Sequence, residues 1–207
     1  GNTTTAAPVS VKTGAIQYLP VLNYHSIGPN PYTIYDETPT EADQQMAYLA
    51  ANGYHSVTLE QYQQWLNGAD IGIAKPVLIT VDDGVTDQLA WDALLQQYNF
   101  TAVMFVVTGF ADNWTPGDTG PQNLSWSQLQ VLAADGHWQM AGHAGALGHG
   151  DAYASGQTAN GFAYPASCPY FYSCLGTGES VTQFEAAIAA EISAGVAELH
   201  SQIPSAS

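Results

Sequence analysis

At 207 residues the chain is long enough for one sizeable core, and its 46% hydrophobic content excludes a disordered segment. Lys12 and Lys75 are the only basic residues against 18 acidic ones, a formal net charge of −16. That balance excludes a nucleic-acid partner and an anionic membrane surface, which both need clustered cations, and no apolar run approaches the roughly 20 residues that span a bilayer. Charged residues make up only 10% of the chain. Gln, Asn, Ser and Thr therefore carry most of the surface polarity. This suits a protein working outside the cell, in acid, where carboxylates protonate and self-repulsion falls.

Residues 1–18 are polar and Thr/Ala-rich, with neither a positive start nor an apolar stretch. They read as a tether rather than a signal peptide, leaving residues 19–207 as a single domain. Leu19 to His25 reads as a buried strand. Pro39 to Asn52 carries Met46, Leu49 and Ala50 at helical spacing, with Thr38 or Thr40 as cap and Gly53 as stop. Tyr54 to Leu59 predicts a short strand and Glu60 to Asn67 a helix closed by Gly68. Pro76 to Val81 (PVLITV) is a continuous β-branched run, as expected of a strand covered on both faces in a parallel sheet.

Asp87 to Tyr98 predicts an amphipathic helix, Thr101 to Val107 a buried strand, and Ser125 to Asp135 a helix capped by Ser125. His137 to Ala141 predicts a strand running into a Gly-rich turn. Residues 150–178 form a long Gly-, Ser-, Tyr- and Pro-rich insertion, and Val181 to Gln202 a closing helix. Cys168 and Cys174, in CPYFYSC, have no nearby His and too few partners for a structural zinc site. They read as a small disulfide loop suited to an oxidising compartment, free thiols being the alternative. Strands alternating with helices give an α/β fold with a mainly parallel sheet.

Two features fall where parallel α/β proteins gather their chemistry, at the carboxyl ends of strands. Asp82-Asp83-Gly84 ends the PVLITV strand, and His143 and His149 lie in AGHAGALGHG. An Asp-Asp-Gly by itself is also an ordinary turn. Histidines among Gly142, Gly145, Gly148 and Gly150 have little to pack against and are more informative. One carboxylate and two imidazoles suit a catalytic divalent ion, and the second carboxylate can stay free as a base. His137, six residues before His143, is too far away along an extended strand to share an ion with it, and reads as structural or surface. His55 and His200 read the same way. Trp114, Trp126, Tyr170 and Tyr172 are aromatic residues near the loops that could stack on a ligand or simply pack.

These residues resemble a known family, the polysaccharide deacetylases with a NodB-type homology domain (carbohydrate esterase family four). Thr80-Val81-Asp82-Asp83-Gly84 resembles the family's T-F-D-D-G motif, with Val for Phe, and His143 to His149 its second, two-histidine motif. Asn23-Tyr24-His25-Ser26-Ile27 and Gly53 to Leu59 resemble segments of the extracellular, biofilm-type branch. The likeness spans about residues 19–149 in the right order. It implies a secreted or cell-surface hydrolase that removes acetyl groups from an N-acetylated polysaccharide such as an N-acetylglucosamine glycan. It also implies Asp82 as catalytic base, Asp83, His143 and His149 as ligands of a divalent metal, and a (β/α)7 barrel. Zinc is the first choice of ion, with cobalt, nickel and iron able to use the same donors.

His25 and Tyr24 are the candidates for substrate contact or general acid. Ala144 replaces the family's Ser or Thr, and the spacing to His149 is longer than usual. The family's later motifs are absent, apart from a passing likeness in Phe162 to Pro165. The barrel is therefore expected to be incomplete at the carboxyl end. The alternatives are an inactive or truncated carbohydrate-binding module of the same fold, or a hydrolase of small amides or acetyl esters. Oligomeric state is not legible.

Overall fold

The computed structural model describes residues 18–29, 34–112, 122–144, 158–159, 162–163 and 181–206. Five strands form one parallel sheet: β1 (Val21–Tyr24), β2 (His55–Ser56), β3 (Pro76–Asp83), β4 (Ala102–Val107) and β5 (Trp138–Ala144). The order is β1-β3-β4-β5, with the two residues of β2 paired to the start of β3. Among the described residues the sheet is open, a barrel-like α/β arrangement that does not close on itself. A separate two-stranded antiparallel pair, β6 (Thr158–Ala159) and β7 (Phe162–Ala163), falls within the stretch read as an insertion.

Three of the helices begin with the same device. In α1 (Pro39–Ala51), α2 (Leu59–Leu66) and α4 (Trp126–Ala134) the N-caps are Thr38, Thr58 and Ser125, each with Glu or Gln three residues on. The cap hydroxyl accepts from the third backbone N–H and that residue's side chain accepts from the cap's own N–H, meeting two otherwise orphaned donors. Each such cap is worth about 1 kcal/mol. Helix α3 (Leu89–Tyr98) ends on Asn99 in the left-handed region, φ 55°. Helix α5 (Val181–Gln202) packs on β5 and the turn after β4, and its Leu199 enters the core together with Ile203 just past its end.

Alternation along the strands divides the sheet into two faces. One carries Tyr24, Val77, Ile79, Val81, Ala102, Met104, Val106 and Met140, and packs on Met46, Trp91, Leu95 and Leu129 of the helices. The other starts with Leu78, Val103 and Ala141. It is covered by Leu19, Val57 and the apolar side of α2, including Tyr62 and Trp65. The first turn of α2 is pinned there: Leu59 N–H donates to Gln139 Oε1 (2.8 Å), and Gln139 Nε2 donates to Glu60 Oε2 (2.9 Å).

The strand expected over Tyr54 to Leu59 is only two residues long. Val57 N–H makes the last ladder bond, to the Val77 carbonyl (2.9 Å), its side chain is buried, and Thr58 is taken as the cap of α2, so the strand ends there. The helix expected from Asp87 starts instead with a 3-10 turn, Thr86–Gln88, before α3.

Candidate active site

Strand registers place the acidic pair beside the later histidine. Asp82 is level with Phe105, which is level with Ala141, and Asp83 is level with Val106, which is level with Gly142. The β4–β5 register then shifts: Val107 pairs with Ala144, leaving His143 as an extra residue in a bulge. Such an insertion bends its strand and re-aims the side chain it carries.

The end of β3 bends too. Strict alternation would send Asp83 to the helix-packed face, opposite Asp82. Instead both Asp83 (φ 92°) and Gly84 (φ 79°) lie in the left-handed region, and the chain turns sharply there. The result brings Asp83 Oδ1 to 3.7 Å from His143 Nε2, with both side chains about one-third exposed. Two donors at roughly 2.0–2.1 Å from one tetrahedral ion are separated by about 3.3 Å. The Asp83 and His143 pair is close to that separation, and its oxygen and imidazole nitrogen are donors that zinc-like ions accept, so these residues fit the expected metal. The third expected ligand, His149, lies outside the described residues, and among those described no group of three such donors assembles.

Asp82 stands on the other side of this bend, held by its neighbours. Asn23 Nδ2 donates to Asp82 Oδ2 (2.9 Å) and to Thr80 Oγ1 (3.0 Å), tying β1 to β3 through side chains as well as through the ladder. The buried amide of Gln88 accepts from the Gly84 and Val85 N–H groups (3.0 and 3.1 Å) and donates to the Asp82 carbonyl. Sequence reasoning missed Gln88 altogether, because a Gln four residues beyond a turn looks like any surface residue. Asn23 carried a faint signal as the polar residue in an otherwise apolar strand.

The remaining candidates separate. Tyr24 belongs to the core rather than to the Asp82 side: it is 6% exposed and its ring lies 4.5 Å from that of Trp91. Burial, assisted by the Glu37 carboxylate, pushes its phenol up to about 12. His25 follows β1 directly, half-buried, with its ring 5.6 Å from Tyr35 and its carbonyl accepting from Trp91 Nε1 (2.9 Å). Nearby, burial and the Asp36 carboxylate raise the Asp87 carboxyl.

Trp126 is buried at the start of α4, so its ring is not offered to a sugar. His137 has a structural role, its Nδ1 lying 2.7 Å from the Phe100 carbonyl, and His55 and His200 are exposed. Trp114, Tyr170, Tyr172, Cys168 and Cys174 lie outside the described residues. No described helix is long and apolar enough to cross a membrane.

No family model and no curated protein sequence matches the chain. Solved structures do. A de-N-acetylase from Aggregatibacter actinomycetemcomitans superposes with a TM-score of 0.69 at 22% identity, over 90% of this chain and 75% of that one. IcaB from Ammonifex degensii gives 0.65 at 20% identity, over 92% and 72%. A polysaccharide deacetylase from Bacillus cereus gives 0.52 at 24% identity, over 62% and 39%. With its parallel sheet and its acidic pair at the end of β3, the chain has the fold of the polysaccharide deacetylases.

Proposed function

We propose that this chain is a metal-dependent hydrolase that removes acetyl groups from an N-acetylated polysaccharide, an N-acetylglucosamine-type glycan, outside the cell or at its surface. The observation that carries the reading is the approach of Asp83 to His143 at 3.7 Å. They come from two strands and lie sixty residues apart in sequence, and Asp82 is the residue before Asp83 in β3. The likeness in fold to a de-N-acetylase and a polysaccharide deacetylase supports it.

Asp83 and His143, with His149, would hold the ion; zinc is the first choice, and cobalt, nickel and iron suit the same donors. When bound, such an ion polarises a carbonyl and makes a water acidic enough to attack it near neutral pH. Asp82 takes the proton from the attacking water as general base. One of its oxygens is held by Asn23. Attack on the acetyl carbon ends with cleavage of the carbon–nitrogen bond, and the departing amine takes up a proton. With Tyr24 in the core, His25 is the candidate we retain for that acid. Cys168 and Cys174 form a disulfide in this reading, so thiol titration of the denatured, unreduced chain should find no free thiol.

Acetate release from chito-oligosaccharides, with added zinc or cobalt, tests the reading. Wild type should bind about one ion per chain and release acetate. Asp82→Asn should keep the ion and lose turnover by about 100-fold or more, and Asp83→Ala should lose both. A wild-type chain that binds no divalent ion would sink the proposal. Turnover confined to aryl acetates or acetylated xylan would replace the substrate class. Ion and oligosaccharide binding without turnover would make the protein a binding module.

A further inference from the structure

Gln88 is fully buried, although Gln is a residue of protein surfaces. Its amide is used up on a single turn: Oε1 accepts from the N–H groups of Gly84 and Val85, and Nε2 donates to the carbonyl of Asp82. These three backbone groups bracket Asp83, whose φ of 92° is a conformation L-residues rarely adopt. The β3–β4 ladder ends at Asp83, so beyond it the sheet no longer dictates the backbone. A side chain that both accepts from one side of the bend and donates to the other fixes the path between them. Only an amide of this length combines the two roles here. Met lacks both roles, and Glu keeps the acceptor while setting a second oxygen against the Asp82 carbonyl.

We propose that Gln88 is a positioning residue: by clamping the backbone on both sides of Asp83 it sets the angle between the Asp82 and Asp83 carboxylates. On the reading above, it thereby aligns the base with the ion-binding side chain. The proposal rests on that reading for the chemistry of the two carboxylates.

Gln88→Met and Gln88→Glu, each assayed beside wild type, test it. The measurements are zinc affinity by calorimetry, kcat and KM for acetate release from chitopentaose, and thermal unfolding. Both variants should bind zinc about 10–100-fold more weakly and lose kcat by a similar factor, the range for groups that orient ligands from behind. KM should change by less than about 3-fold, because Gln88 lies beneath the turn and touches no substrate. Should Gln88→Met fail to fold, Gln88→Glu, which keeps the shape and both accepted bonds, decides alone. Folded variants that match wild type in zinc affinity and kcat overturn the role of Gln88 and leave the site reading intact. A wild-type chain that neither binds zinc nor releases acetate overturns both.

Discussion

The Asn23 amide reaches across from β1 to hold Asp82, its Nδ2 lying 2.9 Å from Asp82 Oδ2 and 3.0 Å from Thr80 Oγ1. On the proposed reading Asp82 is the base, and a base held by a neutral donor stays in one rotamer and does not have to be ordered at each turnover. Asn23→Ala should therefore lower kcat for acetate release by about 10-fold or more while KM changes little. Initial rates across a substrate series give the split. A variant with wild-type kcat would mean that Asp82 needs no such support.

Gly84 should be the least replaceable residue of the acidic turn. Its φ is 79°, and a Cβ there would lie 3.4 Å from Val106 Cγ1, a side chain already locked in the core. Gly84→Ala should cost about 1–2 kcal/mol from the left-handed conformation alone. For a chain of this size that lowers the Tm by about 2–8 °C. Gly84→Asn, better suited to positive φ, should lose less. Equal losses in the two variants would point to crowding by Val106 instead of to the backbone angle.

Asp135 gives a pH dependence whose sign is fixed. Burial, then a hydrogen bond that its protonated carboxyl donates to Asp92, raise its pKa, against a smaller opposing effect of the His137 N–H. A carboxyl raised in the folded state contributes stability that is fully present below its unfolded value of about 3.9. That contribution is lost as pH rises through the folded value. Asp135→Asn keeps the acceptor for the His137 N–H (2.8 Å) and removes the titration. Urea midpoints at several pH values should show the variant gaining on wild type from about pH 4 upward, then levelling. A difference independent of pH would be incompatible with this account.

Much of the architecture is legible in the sequence, for local reasons. The PVLITV run is buried from Pro76 to Val81 as expected, because a strand covered on both faces needs no alternation. The cap residues announce α1, with Thr38 chosen over Thr40, and α4, with Ser125, and the predicted bounds of α5 are those observed. The misses have tertiary causes. β5 runs on to Ala144 because pairing with β4 resumes after the His143 bulge, which periodicity does not reveal. Tyr24 and Trp126 look like groups available to a ligand, but each is claimed by the core, the first by stacking on Trp91.

At the site, the sequence marks Asp82, Asp83 and His143 through their places at strand ends. What it does not mark is the means of bringing them together. The bulge at His143 depends on pairing with a distant strand, and the bend at Asp83 and the Gln88 amide that spans it are a local conformation that residue type alone does not announce.

The plug formed by Leu19, Val57 and α2 gives the site a direction. It fills one face of the sheet from Leu78 up to Ala141, which is level with Asp82, and Gln139 latches it to β5. Among the described residues, apolar side chains close that face of the sheet up to the acidic turn. On the proposed reading, a glycan would therefore meet Asp82 and Asp83 from the carboxyl ends of the strands, away from this apolar packing.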